Sequence, residues 1–359
     1  MNRQRTRRVR AYLRRGGLSL ALVFFASSVS VAAAQAIQAA KPDAQAKAEN
    51  PTSATAQSRL AVLRYLHSIQ GKKIVVGIEN KHGGVPTEDS NRVAKIAGRM
   101  PGFWGADFGF GQDAIDARPV ITAEAIRQWK AGSLVGLMYH ACPPTRDELC
   151  DWDDIGGKTP SHLTDEQWDS LLTPGTALNK EWYRRLDNIA VYLQQLKATG
   201  VVVLFRPFHE INQCVFWWGC HPGPNGAVSL YRLTHDYLTK EKGLDNIIWV
   251  WSVQDFPTLE TDVHKLDPGP GYYDIVTLDV YDKAGYTQAN YDTVLKAADG
   301  KPIALAECEH LPTLEMIARQ PQWTYVMLWP DFIQENASEL PSLYAAPNII
   351  TLDRMTGWH

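Results

Sequence analysis

The chain has 359 residues, 45% of them hydrophobic and 21% charged, with a formal net charge of -3 at pH 7. Seven arginines (Arg3, Arg5, Arg7, Arg8, Arg10, Arg14 and Arg15) crowd ahead of the first apolar stretch, and removing them takes the charge from -3 to -10. An acidic body of this kind excludes nucleic acid and anionic membrane as partners, because phosphate neutralisation supplies most of that affinity.

Residues 1–36 read as a cleaved signal peptide: a basic start, an apolar run at 18–31 too short to span a bilayer comfortably, and Ala32, Ala33, Ala34 and Ala36 at the cleavage site. The product is expected to be periplasmic or secreted, with no membrane attachment after cleavage. Residues 37–57, rich in Ala, Gln, Lys and Pro without an apolar period, read as a disordered linker. Residues 58–359 are of a size for one large α/β catalytic domain.

Within it, helical and strand patterns alternate. A helix is expected at 58–68 and a strand at 73–78, then a helix at 89–99 and a strand at 102–107. Another helix follows at 122–130, with Thr122 as its N-cap, before a strand at 134–140. A long excursion at 141–178 carries Cys142, Cys150, Trp152 and Trp168, and so large an insertion belongs on a functional face. A helix at 179–198 leads into VVVLFRPFHEINQ, residues 201–213, a β-branched run covered on both faces and stopped by Pro207. The insertion CVFWWGCHPGPNG and a helix at 227–240 come next, then strands at 246–251, 274–281, 302–307 and 324–329. Eight β/α units predict a (β/α)8 TIM barrel in the α/β class. A doubly wound sheet would want a G-x-G-x-x-G turn after its first strand, which is missing.

Five cysteines occur. Cys142/Cys150 and Cys214/Cys220 are spaced for two local disulfides, and Cys308, inside an apolar strand, reads as a buried thiol. A four-cysteine zinc site lacks the tight C-x2-C spacing.

In such a barrel the strand ends present Asp107, His140, His209, Glu210, Ser252, Tyr281, Glu307 and Trp329 at one mouth. Glu210 and Glu307 lie on opposed strands. If they stand about 5–5.5 Å apart, they suit retaining glycoside hydrolysis with one nucleophile and one acid/base. Tyr281 is placed to donate to one carboxylate and Arg206 to pair with the nucleophile. His209 would orient the acid or bind a sugar hydroxyl. Trp104, Trp152, Phe216, Trp217, Trp218, Trp251 and Trp329 at strand ends and loops suggest aromatic faces for sugar rings, about half of them touching substrate. His209-Glu210 does not begin H-E-x-x-H, since no second histidine follows. No nucleophile elbow, phosphate loop or calcium loop appears, so no cofactor and no metal are expected.

RPFHEINQ followed by FWWG, then TLDVYD, PIALAE and YVMLWPDF, resemble glycoside hydrolase family 26, the retaining endo-β-mannanases, in order over nearly all of the domain. The resemblance implies Glu210 as acid/base and Glu307 as nucleophile, with Tyr281 as the nucleophile's hydrogen-bond partner. It implies His140 and His209 as contacts to the sugar being cleaved, Trp329 as the platform beneath it, and Phe216 and Trp217 as shapers of the cleft. Mannan, glucomannan or galactomannan is the implied substrate, and a monomer is expected. Mixed-linkage β-glucan and β-1,3-xylan are alternatives on the same scaffold, and a catalytically silent polysaccharide-binding barrel is another. Cys214 and Val215 stand where many members carry an aromatic before F-W-W, which leaves endo and exo action both open.

Overall fold

The structure, a computed structural model, describes residues 53–81, 85–157, 162–219, 221–281 and 285–356. The expected signal peptide, the expected linker up to residue 52, and Cys220 lie outside the described residues.

Short apolar runs flanked by turn residues form eight strands: β1 (Ile74–Asn80), β2 (Phe103–Asp107), β3 (Leu134–Tyr139), β4 (Val203–Pro207), β5 (Ile247–Gln254), β6 (Ile275–Val280), β7 (Ile303–Cys308) and β8 (Trp323–Leu328). Each pairs in parallel with the next, and β1 pairs with both β2 and β8, which closes the ring into the expected (β/α)8 barrel. A two-residue strand, β9 (Ile349–Ile350), adds to β1.

Parallel strands need crossovers, and helices supply them. They are α1 (Ala54–Ile69), α2 (Glu88–Ala97), α3 (Gln112–Lys130), α4 (Asp165–Leu172), α5 (Ala177–Ala198), α6 (Ala227–Asp236), α7 (Leu259–Lys265), α8 (Gln288–Ala298), α9 (Leu314–Arg319) and α10 (Leu340–Ala345). Many begin on a hydroxyl cap: Thr164, Thr176, Thr287 and Thr313 each accept a backbone N–H of the first turn.

Two apolar layers result. Ile303, Leu305 and Cys308 of β7 join the layer between sheet and helices, whereas Ala304 and Ala306 join the barrel interior with Leu204, Val250, Tyr325 and Met327. Val62, Tyr65, Leu66 and Ile69 of α1 belong to that interior cluster too. They pack with strand-start residues such as Val75 and Val202, so α1 covers the end opposite the strand C-termini.

Two boundaries differ from expectation. The first helix starts at Ala54, so residues 54–57 are helical where linker was expected. Ser53 caps it, and Ser53 and Thr55 both bond the Asp245 carboxylate, a long-range anchor with no local signature. The helix expected to start at Thr122 begins at Gln112, and Thr122 is interior. Its hydroxyl bonds back to the Arg118 carbonyl at 2.8 Å, four residues earlier, instead of forward as a cap. Cys142 and Cys150 are bridged, Cys214 is disulfide-bonded, and Cys308 is a buried thiol.

The interior tolerates little added volume. A Cβ on Gly77 would stand 2.7 Å from the Phe103 Cβ, an atom fixed to the neighbouring backbone. Gly77→Ala is expected to destabilise the barrel by about 1–3 kcal/mol, read from urea unfolding, because the clash cannot be relieved by rotating a side chain.

Candidate active site

Strand β4 ends at Pro207, which supplies no ladder donor, and the chain then turns sharply. Phe208 and Glu210 adopt left-handed backbone, φ 52° and 49°. For non-glycine residues each such conformation costs on the order of 1–3 kcal/mol and persists only where surroundings enforce it. Here the Phe208 ring is packed by Trp182, Trp218 and Tyr231. Asn212 ties the turn to β5, donating to the Gln254 carbonyl at 3.0 Å and accepting the Gln254 N–H at 2.7 Å. Glu210, 4% exposed, accepts a bond from the Gln213 amide at 2.5 Å.

Glu307 enters from β7. The β6–β7 register shifts between Leu278 and Asp279, so that Asp279 stands opposite Glu307. Arg206 bridges the two acids: one guanidinium nitrogen donates to Asp279 at 2.7 Å and the other to Glu307. Ser252 donates to Asp279 at 3.2 Å, and the Tyr281 hydroxyl donates to the second Glu307 oxygen. Burial works against the Arg206 charge, but Asp279 and Glu307 outweigh it and hold the guanidinium above its ordinary range. Burial likewise pushes the Asp279 carboxyl up to about 8, with Arg206 opposing the rise and Glu307 adding to it.

Carboxylate oxygens of Glu210, Asp279 and Glu307 lie within 4.8 Å of one another. A divalent cation could use such a spacing, but Arg206 already meets two of the three. One oxygen of Glu210 and one of Glu307 lie within 4.8 Å, a spacing compatible with two carboxyls flanking a single bond.

Histidines and aromatics form one side of the site. Asp107 bonds the His140 Nδ1 at 2.6 Å and its backbone N–H at 3.2 Å, which fixes the ring. The His140 and His209 rings meet edge to face at 4.2 Å, and Phe216 lies 4.7 Å from His209. Trp152, from the disulfide-closed excursion, is partly exposed and reaches both His140 and Phe216. Trp329 is also partly exposed, and its indole N–H has no partner among the described residues.

Trp217, expected as a substrate contact, sits differently. It is 1% exposed, its N–H bonds the Ala141 carbonyl at 2.8 Å, and its ring packs against Trp168 and Trp182, so it braces the loop from behind. Trp104, Trp218 and Trp251 are core residues as well. The structure thus brings together Arg206, His140, His209, Glu210, Phe216, Tyr281 and Glu307. It adds Asp279 and Gln213, for which the only sequence signals were an acid inside a buried strand and an amide three residues after Glu210.

Removing the bridge is expected to be severe. Arg206→Met leaves two buried acids without their cation and should cost about 3–5 kcal/mol in chemical unfolding.

The Glycosyl hydrolase family 26 model matches residues 50–354. A mannan endo-1,4-β-mannosidase of Bacillus subtilis is 31% identical over 296 residues, covering 76% of this chain and 78% of the relative. An enzyme of the same name from Thermothelomyces thermophilus is 29% identical over 86% of this chain, which spans 63% of that relative. Among solved structures, GH26A from Muricauda sp. superposes with a TM-score of 0.78 at 33% identity, covering 84% of this chain and 98% of that one. A β-mannanase from a symbiotic protist of the termite Reticulitermes speratus, complexed with a gluco-manno-oligosaccharide, gives 0.72 at 27% identity, over 86% and 97% of the two chains. The match across nearly all of the described domain means that this chain belongs to glycosyl hydrolase family 26.

Proposed function

We propose that the protein hydrolyses β-1,4-mannosidic bonds in mannan, glucomannan or galactomannan with retention, through a covalent glycosyl-enzyme. The carrying observation is the approach of Glu210 and Glu307 to within 4.8 Å at the barrel mouth. Glu307 receives a guanidinium and a phenol, as a carboxylate nucleophile needs, and the Gln213 amide meets Glu210. In the first step a Glu307 oxygen bonds to the anomeric carbon as Glu210 gives its proton to the leaving oxygen. In the second, Glu210 takes a proton from water, whose oxygen attacks that carbon and releases Glu307. His140 and His209 meet hydroxyls of the sugar being cleaved. Trp329 lies beneath it with an indole N–H to offer, and Phe216 backs the histidines.

Mannan is favoured because the curated relatives are named mannan endo-1,4-β-mannosidases and one similar structure holds a gluco-manno-oligosaccharide. Export belongs to the same proposal: the basic start and short apolar run at 18–31 fit a signal peptide, and no described helix is long and apolar enough to cross a membrane.

Three measurements test this. NMR early in mannan hydrolysis should show the β-anomer first, and the α-anomer first would rule out Glu307 as nucleophile. Glu307→Ala and Glu210→Ala should keep the circular dichroism of the folded chain while losing at least about a hundredfold in kcat/KM. Tyr281→Phe, which removes one donor to a charged group, should lower kcat about ten- to a hundredfold.

A further inference from the structure

One inward layer below the Arg206 bridge lies a carboxyl that the displacement does not use. Glu79, on β1, is 2% exposed, and among the described residues neither of its carboxyl oxygens has a hydrogen-bond partner. A glycine makes its room: a Cβ on Gly105, its register neighbour on β2, would stand 2.2 Å from Glu79 Oε2. Glu79, Arg206 and Tyr325 also border a small cavity otherwise lined by apolar groups such as Phe103, Met138 and Met327. Its volume open to the centre of a water-sized sphere is about 10 Å³, close to the room that one water needs, and three polar side chains border it.

We propose that Glu79 is a positioning residue for the glycosidic displacement, supporting the Arg206 guanidinium from below through a water seated in this cavity, so that Arg206 stays turned toward Glu307 and Asp279. The inference rests on the retaining-hydrolase reading and adds to it a residue one layer away from the sugar. A carboxyl left unpaired at this depth destabilises the fold, and a bridging water relieves that penalty while giving Arg206 a contact on its lower side. The carboxyl does this as the neutral acid. Burial pushes it well above the usual carboxylate range. Asp107, Glu307 and Asp89 push the same way, and Arg206 alone among the facing groups opposes them. Ionised, Glu79 would compete with Glu307 for the one guanidinium.

The sign of the pH effect follows. The unfolded chain releases the Glu79 proton above about pH 4.3, while the folded chain keeps it. Between those limits the folded state binds one more proton, so stability drawn from this group is full at low pH and is lost as pH rises. Glu79→Gln carries no such proton. Its melting temperature should match that of the natural protein near pH 4 and exceed it by a margin that widens toward pH 8. A margin that shrinks or reverses would mean a paired, ionised Glu79 and would overturn the inference.

The kinetic arm separates a polar support from mere filling. Glu79→Met, similar in volume but apolar, should lower kcat on β-mannan about tenfold with KM unchanged, the scale of one hydrogen bond, and Glu79→Gln should restore most of it. Wild-type kcat in Glu79→Met, or a tenfold loss in Glu79→Gln, defeats the positioning role. If Glu79→Met does not fold, the Glu79→Gln melting and kcat results decide. The melting arm needs no substrate, so an unmodified chain that leaves β-mannan intact counts against the proposed function alone.

Discussion

A single buried cation holds this active site together. Arg206 is 3% exposed and meets Asp279 and Glu307, which are 0% and 3% exposed, so one guanidinium joins β4, β6 and β7 across the barrel mouth. Buried ion pairs repay their desolvation only when geometry is good and the remaining polar atoms are met. Tyr281 serves that end by donating to the second Glu307 oxygen, and Ser252 adds a donor to the Asp279 oxygen that Arg206 meets. The same arrangement that makes the centre tolerable to the fold thereby fixes the Glu307 carboxylate, as the proposed attack on a carbon would require.

Glu210 is held by a different means. Its carboxylate takes the Gln213 amide, and its backbone is held in an unfavourable region by aromatic packing. Rigid rings behind Phe208 and the Asn212 tether to β5 fix the turn that carries it. Glu307 is thus positioned through a buried guanidinium, and Glu210 through a turn that packed rings and a backbone tether hold in place.

Much of this was legible from residue order. The barrel could be read because each strand is apolar throughout and ends in polar residues, and Glu210 with Glu307 could be paired because both stand at such ends. Asp279 and Glu79 were harder. Each is an acid among apolar residues in a strand, and nothing local says whether it faces the helices, the interior or a partner. Trp217 and Phe216 are sequence neighbours with different surroundings, and only the fold of the loop tells which ring meets the histidines. The early start of α1 depended on Asp245, nearly two hundred residues away.

The shifted register between β6 and β7 has a consequence of parity. Along β7, Ile303 and Leu305 face the helices while Ala304 and Ala306 face the interior, so strict alternation would send the next side chain, Glu307, outward. It points inward, and Cys308 resumes the outward set, because one residue is supernumerary at that point. The aim of Glu307 is therefore a matter of counting: whether that segment holds an odd or an even number of residues decides on which side of the barrel wall the carboxylate emerges. Exchanging the small side chain before it leaves the count alone, whereas gaining or losing a single residue there would turn the acid toward the wrong side of the wall.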